Sequence, residues 1–348
     1  MIFESCGAMR RSSVLYGLKK TTAVLFFTFL FSCGSGKPDV SGISVNIDIE
    51  RLDREIFENP VGKLPQKYGD FFKRYTANIL GIGQFGDSLF MTELERFRND
   101  ETVNIARRET EKEYPNLDGL TEKFNHAFKY YRYYFPEKQI PRIVTYISGF
   151  NHSLILTDSI LAIGLDKYLG ADSKLYAELN YAKYMSRNMN RNKIVSDCIA
   201  AWISGEWSFS ETAPTDSRAV SNNLISKMLY EGKILYATKM ILPDEADTLI
   251  FGFTKEQLKW CANNEENIWI YLVENKLLFS TDHFTIRKLT EPAPFTAAFT
   301  SESPGMACNW TGYRIISKYM KNRPETSLLD LMNSSNYDNI YKQAKYKP

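Results

Sequence analysis

Histidine is almost missing from this chain. His126, His152 and His283 are the only three in 348 residues, and they stand 26 and 131 positions apart. A zinc helix of the H-E-x-x-H kind needs two histidines four residues apart on one face, and no such pair exists. The same shortage limits any Ser-His or Cys-His nucleophile, and no G-x-S-x-G elbow is present. Cysteine is sparse too. No two of the five form a C-x-x-C, which removes the local thiol clusters that bind zinc or exchange disulfides. No long apolar run exists. The longest, Ala23 to Phe31 with Thr28 inside it, falls well short of the ~20 residues that span a bilayer as a helix. Neither sign of charge dominates: 43 Lys and Arg face 41 Asp and Glu. There is thus no electrostatic case for nucleic acid or for an anionic membrane surface.

What is present begins with an export signal. Arg10, Arg11, Lys19 and Lys20 precede the apolar run, and Leu30-Phe31-Ser32-Cys33-Gly34 closes it. Position, flanks and apolar core all have the order of a secretory signal, and the closing pentapeptide resembles the lipobox of bacterial lipoproteins. Residues 1–32 are therefore expected to be removed, and Cys33 to be lipidated, as by palmitate, and become the new N-terminus. Met9 offers a second start with a more usual basic flank. Residues 33–42, rich in Gly, Ser and Pro, read as a flexible tether. Cleavage removes four basic side chains and one acidic one, leaving 39 against 40 and a mature charge of −1 over 316 residues. Membrane attachment falls to the lipid. Cys198, Cys261 and Cys308 remain, each in an apolar or helical context, and read as buried small hydrophobes.

The mature chain shows no repeat and no internal linker, so residues 43–348 read as one domain. Val45, Ile47 and Ile49 alternate with Asn46, Asp48 and Glu50, the period of a half-buried strand. Helices are expected from Asp53, over 67–80 with Tyr68, Phe71, Phe72, Tyr75 and Ile79 on one face, as one or two charged helices over 92–114, and over 121–135. Segments 142–147, 153–157 and 159–164 are short, apolar and β-branched, and read as three adjacent strands. Helix returns over 174–185, 192–203, 221–240, 254–261, 264–278, 311–321 and 327–333. The fold class is α+β, mostly helical, with a small sheet surrounded by helices.

Four local patterns invite chemistry. Gly81-Ile82-Gly83-Gln84-Phe85-Gly86 matches a dinucleotide fingerprint, but it follows a helix rather than a strand and reads as a helix stop. Tyr130-Tyr131-Arg132-Tyr133-Tyr134-Phe135 offers rings for stacking on sugars, yet on a helix such a run is usually half core and half rim. His152 falls in a turn between two expected strands. Glu231-Gly232-Lys233 places glycine inside a long helix at a cost of ~1 kcal/mol against alanine, which points to close backbone packing or a nearby site.

Several segments together carry a resemblance: Ile47–Asp53, Tyr184–Met189 leading into Ile194–Asp197, Tyr230–Tyr236, Pro304–Ile316 and the closing Lys345–Pro348. Their order resembles the GldB gliding-motility lipoprotein family of Bacteroidetes, over nearly the whole mature chain. That family is distantly similar to zincin-type metallopeptidases. The resemblance implies a zincin-like domain whose metal helix falls at Asp197-Cys198-Ile199-Ala200-Ala201, with Asp197 and Ala201 at the histidine positions, Cys198 at the general-base position and Glu231 as third ligand. One retained carboxylate does not hold zinc, so the metal site is degenerate and no cofactor is implied.

The implied role is a non-enzymatic, pseudo-peptidase-like scaffold or partner-binding component of the gliding and associated secretion machinery. Its partners would be other envelope proteins, with no nucleic acid and no small-molecule cofactor. The candidate cleft is Asp197, Glu231 and His152, with Tyr313 and Arg314 from the Pro304–Ile316 segment. The alternatives are a hydrolase with an unusual site and a glycan or peptidoglycan binder. The stretch after Cys33 lacks an acidic run, and Gly34 is not an aspartate retention signal. Both point to an outer-membrane anchor facing the periplasm.

Overall fold

A computed structural model describes residues 36–58, 60–209 and 222–348. The export signal, Cys33 and the first residues of the tether lie outside the described residues. Packing starts ahead of residue 43. The Asp39 carboxylate accepts the Ser41 amide at 2.9 Å, Ile43 N–H bonds the Val40 carbonyl, and Val40 is buried. Residues Asp39–Pro348 make one compact unit.

Four strands form the sheet: β1 (Ile49–Arg51), β2 (Arg142–Tyr146), β3 (Leu154–Leu156) and β4 (Ile160–Gly164), in the order β1-β2-β4-β3. β1, β2 and β4 are parallel, and β3 lies antiparallel on β4. Parallel strands carry cover on both faces and so read as continuous apolar runs. β4, Ile-Leu-Ala-Ile-Gly, is buried throughout. The two-residue period splits its side chains. Leu161 and Ile163 join Ile143 on one face, while Ile160 and Ala162 join Val144 and Tyr146 on the other.

Between β1 and β2 run α1 (Leu52–Glu58), α2 (Leu64–Arg74), a π turn over Tyr75–Ile79, α3 (Phe90–Asn99), α4 (Glu101–Glu113) and α5 (Asp118–Tyr134). Leu52, Ile56, Phe71, Phe72, Tyr75, Phe90 and Leu94 of this group cover one sheet face. After the sheet come α6 (Lys174–Glu178), α7 (Lys183–Ser186), α8 (Ile194–Glu206), α9 (Leu224–Ile241), α10 (Asp247–Phe251), α11 (Lys255–Asn263), α12 (Glu265–Glu274), α13 (His283–Thr290), α14 (Ala307–Asn322), α15 (Leu328–Asn333) and α16 (Tyr337–Ala344). With α5, helices α8 to α16 pack the second face through the larger core, which includes Phe128, Tyr131, Ile199, Met228 and Ile316, while Tyr176 of α6 joins Ile147 and Phe150 in a smaller cluster. α9 and α14 cross backbone to backbone. An ideal Cβ on Gly312 would lie 1.8 Å from the Met228 carbonyl oxygen, and one on Gly232 would lie 2.4 Å from the Gly312 carbonyl carbon.

Several expectations change. The alternation from Val45 persists as alternating burial, but strand pairing begins only at Ile49, because the Ile47 amide is taken by the Asn125 side chain at 2.8 Å. β2 and β3 are not neighbours, since β4 pairs between them. The helix over 174–185 is two short pieces, α6 and α7, broken where Tyr181 N–H bonds the Tyr176 carbonyl. Of the one or two helices open for 92–114 there are two, because Asp100 ends one and caps the next by accepting the Val103 amide. α10, α13 and α16 are additional. They are short and bury few side chains, so caps such as Asp282 on α13 and Asn336 on α16 define them more than an apolar stripe does. Gly81, Gly83 and Gly86 have positive φ and turn the chain out of the π turn. In the tyrosine run Tyr130, Tyr131 and Phe135 are buried and Tyr133 is exposed.

Candidate functional site

The carboxyl end of β4 enters the site. Leu165–Lys167 makes one tight turn, which buries Asp166 and delivers Lys167 and Tyr168 to the wall of a cavity of about 260 Å³. Asp166 organises the loop beside it. One of its oxygens accepts the Ser148 amide at 3.0 Å, the Phe150 amide at 2.7 Å and the Ser148 hydroxyl at 3.3 Å, while the other has no partner. Full burial pushes this carboxyl up to about 6, against the opposing pull of those amide bonds. Gly164 is obligatory beneath the loop, since a Cβ there would lie 2.2 Å from the His152 carbonyl oxygen.

α8 supplies the floor. Asp197 pairs with Lys193 one turn earlier and accepts the Tyr168 hydroxyl at 3.1 Å. Burial, then the Asp197 charge, holds the Tyr168 phenol well above its ordinary range, so it stays a donor. The end of α7 supplies a side wall. Arg187 and Asn188 both donate to the Gly252 carbonyl at 3.0 Å, and Gly252 ends α10 in the left-handed region. The Arg187 Nε–H is buried without an acceptor, and burial lowers the guanidinium's pKa.

The roof is the turn Pro304-Gly305-Met306 that opens α14. Thr296 fixes it, accepting the Ala307 amide and donating to the Pro304 carbonyl. Gly305 lies so close to Ala293 that a Cβ would meet that carbonyl oxygen at 2.3 Å. Met185, Met189, Phe253 and Met306 complete an apolar lining.

Of the residues expected in a cleft, Asp197 lines this cavity. The His152 backbone lies in the adjoining loop, where its carbonyl accepts the Tyr146 hydroxyl, and its side chain is exposed. Glu231 is elsewhere, paired with Lys227 at 2.8 Å on α9. Tyr313 packs against Phe251 and Tyr236, and Arg314 binds Glu265 at 2.9 Å. Neither is part of the lining. Cys198, at the general-base position of the zincin alignment, is fully buried in the core, and its thiol is pushed far up. Among the described residues no group of three His, Cys, Asp or Glu side chains is placed to hold a metal ion.

Sequence reasoning missed Lys167, Tyr168, Arg187 and Asn188. A signal for the last two was present: the segment 184–189 belongs to the ordered set that carries the resemblance, and so does the turn 304–306. Spatially these segments and Asp197 surround one cavity.

The fold and this cavity define a mostly helical α+β protein, with a four-stranded mixed sheet and a basic, methionine-walled recess. A family model described as Gliding motility protein GldB matches residues 34–348. The protein belongs to that family of gliding-motility lipoproteins. No curated protein and no solved structure matches the chain. Among the described residues no helix is long and apolar enough to cross a membrane.

Proposed function

We propose that this protein is a lipid-anchored, non-catalytic component of the gliding and associated secretion machinery. Cys33 holds it to the envelope, at the outer membrane facing the periplasm, and the recess beneath the Met306 turn binds a partner envelope protein. The family match over residues 34–348 carries this reading. The recess supports it by what its polar groups already do: Asp197 is engaged by Lys193 and Tyr168, which leaves no free carboxylate there to act as a base. In the zincin-like reading, α8, packed on the sheet's second face, is a metal helix without its ligands.

The test has two arms. Cys33→Ala is expected to move the protein from the membrane fraction to the soluble fraction. A photo-crosslinking side chain at Met185, on the rim, is expected to capture one envelope protein in living cells, where the same group at the distant Lys318 captures none. Unchanged attachment in the first arm, or stoichiometric zinc with peptide cleavage by the purified protein, would overturn the proposal.

A further inference from the structure

Two cations in the recess have no counter-charge among the described residues. Lys167 is buried, and its ammonium meets only the Tyr181 hydroxyl at 2.7 Å and that residue's ring face at 4.2 Å. Arg187 is half-buried, with a carbonyl as its one acceptor and its Nε–H unsatisfied. Among the described residues no carboxylate pairs with either. The one acid in the lining, Asp197, is already neutralised by Lys193. Burying a cation without an anion is costly, and stable folds normally pair it or leave it in water. Two such cations in one small cavity mark a place where an anion completes the site.

The rest of the lining limits what carries that anion. Met185, Met189, Phe253 and Met306 give an apolar, adaptable wall suited to a hydrocarbon side chain. The volume, about 260 Å³, is just below the ~300–1,000 Å³ of small-molecule pockets, so the occupant is one or two residues in size. A phosphate would bring no apolar body, and an acidic side chain would leave the methionines facing water. A chain terminus brings both parts together: a carboxylate and, on the same residue, an apolar side chain.

We propose that the recess captures the C-terminal carboxylate of a peptide chain ending in an apolar residue, with Lys167 and Arg187 facing the carboxylate and the methionines around the last side chain. This rests on the reading of the recess as the recognition site and names what that site takes.

The test uses the full-length protein in detergent with three probes: acetyl-Ala-Ala-Leu as the free acid, the same peptide as its C-terminal amide, and octanoate. Titration calorimetry is expected to show the acid binding about tenfold or more tightly than the amide, the effect of one charge-assisted contact. Arg187→Gln is expected to remove that preference. Met185→Glu places a competing carboxylate at an exposed rim position, so it keeps the fold and is expected to weaken the acid by a similar factor. Equal binding of acid and amide, or binding of neither, overturns the proposal. Octanoate binding more tightly than the peptide acid overturns the peptide terminus as occupant and assigns a fatty acid. Failure of the probes with the Met185 crosslink intact removes the carboxylate alone. Failure of both removes the recognition reading as well.

Discussion

The recess and the α9–α14 crossing are built from the same ordered segments and work in opposite ways. At the crossing, glycine removes side chains so that two backbones meet, and the buried lysine beside it has a structural task. Lys233 donates to the Met332 and Ser334 carbonyls at 3.0 and 2.8 Å, closing the C-terminal end of α15. In the recess, Lys167 and Arg187 are held with charges unanswered. The Glu-Gly-Lys string, which looks most like chemistry in the sequence, is a packing and capping device. The plainer string Met185-Ser186-Arg187-Asn188 reaches a cavity. Local pattern thus marks where the chain is constrained, and only burial and partners separate a constraint of packing from one of function.

The sharpest way to break this contrast is at the crossing itself. Gly312→Ala gains ~1 kcal/mol of helix propensity, but its methyl would lie 1.8 Å from a backbone carbonyl that no rotamer change can move. The expected net loss is about 3 kcal/mol or more, read as a large drop in melting temperature or no soluble protein. A variant as stable as the parent would show that α9 and α14 do not meet as described.

Lys233→Met comes next. Burial pushes the Lys233 ammonium down to about 8 from an ordinary 10.5. Between those values the unfolded chain binds the extra proton, so stability rises with pH across the window 8 to 10.5, by on the order of 2 kcal/mol. Below pH 8 the folded state bears the full cost of the buried charge. The variant is expected to lose this rise: at pH 7 the charge cost it escapes offsets the about 1–2 kcal/mol for each carbonyl left unpaired, and it falls progressively behind the parent as pH rises to 10.5. Denaturant titrations of both proteins from pH 7 to 10.5 decide it, since the tyrosines that titrate at the upper end are common to both.

A smaller effect of opposite sign is expected at the recess. The Asp166 carboxyl is raised from 3.8 to about 6. The folded state therefore holds the proton more tightly, and the stabilisation present below pH 3.8 is lost as pH rises through 6. Asp166→Asn keeps an oxygen for the Ser148 and Phe150 amides and removes that dependence. The difference between the two proteins is expected to change by about 1–2 kcal/mol between pH 4 and 6. A constant difference would mean that the carboxyl is solvated.

Much of the architecture was legible. The helices with strong 3.6-residue patterns, the apolar strands around 142–164 and the close packing at Gly232 follow from period and composition. Strand order did not, because β2, β3 and β4 are similar apolar runs and nothing local says that β4 inserts between the other two. Short helices escaped for a related reason: α13 buries Leu289 and Thr290 and little else. At the site, Asp197 lines the recess, while Glu231 stands on α9 in a pair with Lys227. Gly232, one position on, faces the backbone of α14 instead, which is why glycine stands there. Lys167 and Arg187 were invisible as a pair. They lie 20 residues apart, and an unpaired buried cation is defined by what is missing around it, which a sequence does not display.

Glu231 itself supplies the smallest predicted effect and a clean check on its place outside the recess. Its carboxylate is an (i, i+4) partner of Lys227 with both side chains about a quarter exposed. Such helix-surface pairs contribute about 0.3–0.5 kcal/mol. Glu231→Gln removes the charge and keeps the shape, so melting temperature is expected to change by little more than experimental scatter, and peptide-acid binding in the recess not at all. A metal-ligand or catalytic role predicts the reverse: a large functional loss with little change in fold. Reduced probe binding in this variant would place Glu231 back at the recess and would mean that α9 presents more than a scaffold.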